Sequence, residues 1–210
     1  MKLAYAYKIL SKVNTLYSLN RIICITSFLA VFSVQAKNDQ YKNEFVNRKT
    51  FGFCLQQGIP YYKFPEGRSY KPTGLIGVYH QPLFKAKRLV NVAIDLMPQL
   101  WFSKAKIAGI EIGLNMTINL NIQIKRNSIL AFHMGSGVHY FGMETERQAE
   151  GFIFSDNVLA SYKHQITLKN KKRIDIGCIA GFRHLSNLDT RKPNHGINNI
   201  IIGICFDRVF

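Results

Sequence analysis

The sequence predicts an all-β fold: an eight-stranded antiparallel transmembrane β-barrel of the outer membrane. Three observations predict it. Beyond Ala36 apolar residues recur with a period of two, and no long stretch repeats them at helical spacing. The alternating runs are long: GIEIGLNMTINLNIQIK, Gly109 to Lys125, far exceeds the roughly 5–6 residues of an ordinary globular strand. Each run also has one apolar face and one polar or small face, as a wall between lipid and a polar interior requires. Backbone in hydrocarbon tolerates no open sheet edge, so such strands close on themselves. Eight of them enclose an interior just wide enough to fill with side chains, which excludes a porin-like channel. The alternative is a soluble lipocalin-like barrel with its apolar faces turned inward.

Taken in order, residues 1–36 read as a cleaved signal peptide, leaving 37–210 as a single barrel domain. Lys2, Lys8, Lys12 and Arg21 precede the short apolar run IICITSFLAVFSVQA, and Val34-Gln35-Ala36 offers small residues ahead of Lys37. The run is short for a membrane-spanning helix, which needs about 20 apolar residues; a retained anchor is the other reading. Cys24 has no lipobox ahead of it. Residues 37–44, rich in lysine and asparagine, read as a periplasmic lead-in.

Strands are then predicted near 46–57, 70–81, 88–102, 107–124, 128–141, 151–168, 172–186 and 198–210. In the third, Val90, Val92, Ile94 and Leu96 oppose Asn91 and Asp95. In the fourth, every even residue from Ile110 to Ile124 is apolar. In the fifth, Leu130, Phe132, Met134, Val138 and Tyr140 oppose His133 and His139. In the seventh, Ile174 to Phe182 alternate with Asp175, Gly177, Gly181 and Arg183. The last carries Ile200, Ile202, Ile204, Phe206 and Phe210, an apolar row ending on an aromatic that Arg208 interrupts. Turns near 125–127 and 170–172 are short and read as periplasmic. Connections near 58–69, 142–150 and 187–197 are longer and read as extracellular, with 103–106 the short exception.

The formal charge of the chain is +16. Four of its bases and none of its acids lie in the first 36 residues, so +12 remains beyond them, an excess that suits an anionic partner. Nucleic acid, acidic lipid headgroups and phosphorylated glycolipid all satisfy it. Cys54, Cys178 and Cys205 are odd in number and form no CxxC, so no disulfide framework is expected. Metal binding is not expected either, because no His/Cys spacing fits a zinc site.

Parity locates the candidate site. His184 and Ser186 continue the even, apolar face of the seventh strand, and Asn198 lies on the even face of the eighth. All three are therefore predicted on the lipid-facing wall, at the outer end of the hairpin LDTRKPNHGI. Residues two apart on a strand point the same way, so an imidazole can activate the serine hydroxyl. Asn198 can accept a bond from the imidazole and fix its tautomer, and Asn187 can donate to a developing oxyanion. The uneventful alternative places these polar residues in the headgroup zone without chemistry. Ser136, in HMGSGVH, lacks the spacing of a nucleophile elbow and reads as a small packing residue.

The segment GFRHLSNLDTRKPNHGINN resembles the active-site segment of PagL-type lipid A 3-O-deacylases, through a His-x-Ser-Asn followed by Pro-Asn and Gly-Ile; GFIFSDN, Gly151 to Asn157, resembles a second stretch of that family. The resemblance implies an eight-stranded outer-membrane barrel of a Gram-negative bacterium. Its activity is that of an esterase removing an ester-linked acyl chain from lipid A. Ser186 is then the nucleophile, His184 the base and Asn187 part of the oxyanion hole. Where the better-studied members place a glutamate, this chain has Asn198. Lipid A or lipopolysaccharide in the outer leaflet becomes the expected partner, with no nucleic acid, no metal and no cofactor; a homodimer is compatible with it. Arg183, Arg191 and Lys192 flank the site and are candidates for meeting lipid A phosphates. The rival functions are an inactive barrel with a structural or lipid-binding role and the soluble carrier.

Overall fold

The structure, a computed structural model, describes residues 45–61, 70–85, 90–104, 108–168 and 172–209. The predicted signal peptide, the 37–44 segment and Phe210 lie outside the described residues.

The strands are β1 (Thr50–Pro60), β2 (Pro72–Pro82), β3 (Val90–Lys104), β4 (Ala108–Lys125), β5 (Ser128–Phe141), β6 (Gly151–Thr167), β7 (Arg173–Ser186) and β8 (Ile197–Val209). Each pairs antiparallel with the next, and β8 returns to β1, so the sheet is a closed barrel with no free edge. Closure satisfies every strand's backbone groups within the protein, the condition for crossing hydrocarbon. The β1–β2, β3–β4, β5–β6 and β7–β8 pairs are joined at one end of the barrel, where 142–150 and 187–196 are described; the β2–β3, β4–β5 and β6–β7 pairs are joined at the other, where 126–127 is described.

The two faces have opposite chemistry. Ile112, Met116, Ile118, Met134, Phe152, Val158 and Ile204 are among many large apolar side chains exposed on the outer wall. Asn115, Thr117, Asn119, Asp95, Glu111 and Arg183 are buried inside. This inverts a soluble carrier and rules out the lipocalin-like alternative.

The interior is filled. Trp101, Ile76, Met97 and Ile201 form an apolar cluster inside it. The buried charges are matched: Glu111 with Arg183 and His139, Asp95 with His80, Lys163 with Asp207, Arg48 with Asp175. An unpaired charge there would carry a penalty of several kcal/mol.

One expectation is overturned. Cys54 and Cys205 face each other across the β1–β8 seam and form a disulfide, which leaves Cys178 as the free cysteine among the described residues. The odd count concealed this pair because barrel closure brings together residues 151 apart in sequence.

Candidate active site

The β7–β8 hairpin builds the site. Its strands pair Cα to Cα at His184↔Asn198, and both side chains leave the outer face. There His184 Nδ1 lies 2.6 Å from Asn198 Oδ1. The amide oxygen can only accept, so Nδ1 carries the proton and Nε2 keeps its lone pair. The ring rests against Gly196, where φ is +67° and an added Cβ would lie 2.7 Å from His184 Cε1. Glycine is needed twice over here, for the left-handed backbone and for the space.

Ser186 ends β7 on the same face, in register with Phe154 of β6. Its hydroxyl donates to Asn194 Oδ1 at 3.4 Å and accepts from the Leu188 backbone N–H at 3.2 Å. The same Asn194 oxygen accepts from the Asn187 N–H at 3.1 Å. In this arrangement the hydroxyl points to Asn194 and not to His184; a change of χ1 between staggered wells would redirect it. Leu188 and Asp189 both have positive φ, 52° and 61°. A β-carbon-bearing residue such as Leu188 in the left-handed region stores strain directly beside the serine.

The loop is pinned by its neighbour. Gln148 and Asn194 form a β-bridge, the Ala149 N–H donates to Pro193 O at 2.8 Å, and the His195 N–H donates to Arg147 O at 2.7 Å. The Arg147 guanidinium donates to the carbonyls of Gly196 and His195, each at 2.9 Å. Connections 142–150 and 187–196 are thus stitched into one cap over the serine.

Two predicted roles need correction. Arg183 cannot meet lipid A phosphates: odd parity turns it into the barrel, where it is fully buried. It pairs there with Glu111, donates to Ser155 Oγ at 2.9 Å and lies over the Trp101 ring. The Asn187 side chain is also buried; its Nδ2 donates to Arg191 O at 2.6 Å, so it braces the loop and does not face the serine as an oxyanion donor. Arg191 and Lys192 are exposed on the loop, with Lys192 2.7 Å from Asp189. Ser136 is not a packing residue: it too is exposed on the outer wall.

Asp156 was missed. On β6 it pairs Cα to Cα with His184 from the side opposite Asn198, and it is exposed on the outer face. Ser136, Asp156, His184 and Asn198 therefore form one polar row across four adjacent strands. The signal lay in the sequence, since Asp156 interrupts the even apolar row Phe152, Phe154, Val158 just as His184 interrupts its own.

A family model described as Lipid A 3-O-deacylase (PagL) matches residues 62–205. Among solved structures the chain is similar to the outer membrane enzyme PagL, with 13% sequence identity, a TM-score of 0.51, and coverage of 73% of this chain and 97% of that one. It is also similar to the Yersinia pestis outer membrane protein Ail in a phospholipid bilayer nanodisc, with 10% identity, a TM-score of 0.34, and coverage of 76% and 99%. No curated protein matches the chain.

Proposed function

The chain belongs to the PagL family of lipid A 3-O-deacylases, and from that premise we propose that Ser186 and His184 hydrolyse the 3-O-linked acyl ester of lipid A on the outer wall of the barrel. The observation that carries this reading is the cross-strand bond between His184 Nδ1 and Asn198 Oδ1. It leaves Nε2 as a base on the same strand face as a serine, at the end of the barrel that bears the longer connections.

The reaction follows from these groups. His184 Nε2 takes the Ser186 proton as Oγ attacks the ester carbonyl. The tetrahedral oxyanion needs donors, and with the Asn187 side chain engaged elsewhere the role falls to backbone N–H groups. Leu188 N–H, which meets Ser186 Oγ at 3.2 Å, is one, and Asn187 N–H becomes a second when it leaves Asn194 Oδ1. Collapse expels the sugar oxygen, which takes the proton from His184. Water, deprotonated by the same imidazole, then attacks the acyl carbonyl; the bond to Ser186 Oγ breaks, Oγ takes the proton back from His184, and the fatty acid leaves. The attack creates an imidazolium, which Asn198 orients but does not neutralise. Asp156, in register on the other side, supplies the negative charge.

An acyl chain of lipid A lying along the apolar outer wall reaches Ser186 without leaving the membrane, and Arg191 and Lys192 stand above it for the phosphates. The protein is an outer-membrane barrel, and cleavage before Lys37 would complete its export; N-terminal sequencing of the membrane-bound protein should begin at Lys37, and an intact Met1 would refute the cleavage. The function itself is tested by incubating purified lipid A with the protein in detergent and measuring released 3-hydroxy fatty acid. Wild type should release it and folded Ser186→Ala should not; a folded Ser186→Ala protein as active as wild type refutes the site.

A further inference from the structure

Arg208 interrupts the apolar outer row of β8 at the end of the barrel opposite Ser186. Its partners in register are Phe51 on β1 and Ile174 on β7, both apolar and on the same outer face. One step toward mid-membrane, Phe206 lies between Phe53 and Ile176, and the Phe53 and Phe206 rings sit 5.5 Å apart, tilted. Phe51, Phe53, Ile174, Phe206 and Arg208 line a groove of 520 Å³ along the β7–β8–β1 wall, with Lys172 and Arg173 also in its lining.

The groove's lining is almost wholly apolar, aromatic and aliphatic, and Lys172, Arg173 and Arg208 border it along one short stretch of rim. The acids nearest in sequence to Arg173 and Arg208 do not cancel their charge. Asp207 and Asp175 point into the barrel, where Lys163 and Arg48 bind them. Arg173 and Arg208 have no acidic partner among the described residues. A charged side chain on a lipid-facing wall is costly at mid-membrane and becomes tolerable where it reaches a headgroup.

We propose that this groove is a binding site for an anionic glycerophospholipid of the periplasmic leaflet: one acyl chain lies along Phe53 and Phe206, and the phosphate is held by Arg208, Arg173 and Lys172. Charge complementarity selects the anionic headgroup, and guanidinium groups suit phosphate because their planar donors bind it bidentately. The leaflet follows from the orientation in which the longer connections face outward; the ligand chemistry does not depend on it. The site is about the whole barrel's length from Ser186 and needs no part of the deacylase reading.

The test uses the full barrel purified in nonionic detergent, with phosphatidylglycerol, phosphatidylcholine or lipid A added to the micelles and bound lipid counted by native mass spectrometry. Each basic residue near an anionic headgroup is worth about fivefold in affinity. Lys172→Gln/Arg173→Gln/Arg208→Gln should therefore lower phosphatidylglycerol retention at least about tenfold, toward the phosphatidylcholine level. Lys125→Gln/Arg126→Gln, on the same rim but on the β4–β5 side, should not. A fold-independent check places the fluorophore in the groove: Phe53→Trp in vesicles should be quenched more by dibrominated phosphatidylglycerol than by dibrominated phosphatidylcholine at equal mole fraction. Equal retention of the two phospholipids, equal quenching, or an undiminished signal in the triple variant overturns the proposal. So does preferential retention of lipid A that the triple variant loses, or a dimer whose dissociation by that variant shows a second copy in the groove.

Discussion

Asn198 accepts a bond from His184 with an uncharged oxygen, and Asp156, a carboxylate, stands in register with His184 on the other neighbouring strand. These two residues separate orientation from charge. Asn198→Ala should lower turnover by about 10- to 100-fold, less than the roughly 10²- to 10⁴-fold expected from removing the base itself in His184→Ala. Asn198→Glu should preserve or raise turnover, because a carboxylate both orients and stabilises the imidazolium. Asp156→Asn should lower turnover, and Asn198→Glu added to it should restore most of the loss. If the double variant is no faster than Asp156→Asn alone, Asp156 acts otherwise than through the charge at His184. Gly196→Ala is a purely geometric probe. It should cost about 1–2 kcal/mol for the left-handed backbone and displace the imidazole, so folded protein should lose turnover while keeping its heat-dependent gel mobility.

At the scale of the strand, period two did most of the predictive work because the two sides of the wall have different solvents. The predicted 107–124 differs from β4 by one residue at each boundary, and the predicted 151–168 differs from β6 by one residue at its end alone. The first strand begins at Thr50 and not near 46, because residues 45–47 form a turn before it. The same parity that put His184, Ser186 and Asn198 outside also put Arg183 inside, and its proximity in sequence to the serine was misleading. Hydrogen-bond direction within an irregular loop has no sequence period, which is why the inward turn of Asn187 was not legible. Cys54 and Cys205 were illegible for another reason: their pairing depends on closure and register, not on any local pattern. Two strand-level outcomes follow. Ile118→Arg, on the exposed face of β4, should destabilise the barrel by about 2–4 kcal/mol in lipid vesicles, and a loss near zero would contradict the assigned face. Cys54→Ser/Cys205→Ser should destabilise it by about 2–5 kcal/mol, read as a lower temperature of unfolding on gels run without reductant; reduced wild type should match the variant.

Across the described barrel, an apolar exterior, an interior whose buried charges are paired and a closed seam leave only the two rims for water-borne chemistry. The rims differ in connection length, and that difference sets the orientation on which the proposed site depends, since lipid A is met from the outer leaflet only if the 187–196 connection faces outward. Cysteine labelling tests this directly. Cys54 and Cys205 are consumed in their disulfide, so the background among the described residues is Cys178, which Cys178→Ser removes; Cys24→Ser is added to cover the segment before Lys37. On that background, Lys192→Cys lies on the exposed cap and Arg126→Cys on the opposite turn. A membrane-impermeant maleimide added to intact cells should label Lys192→Cys within minutes and leave Arg126→Cys unlabelled until the outer membrane is permeabilised. The reverse pattern would place Ser186 at the periplasmic leaflet, out of reach of lipid A in its normal leaflet, and would remove the substrate from the proposed function while leaving the barrel and its polar row intact.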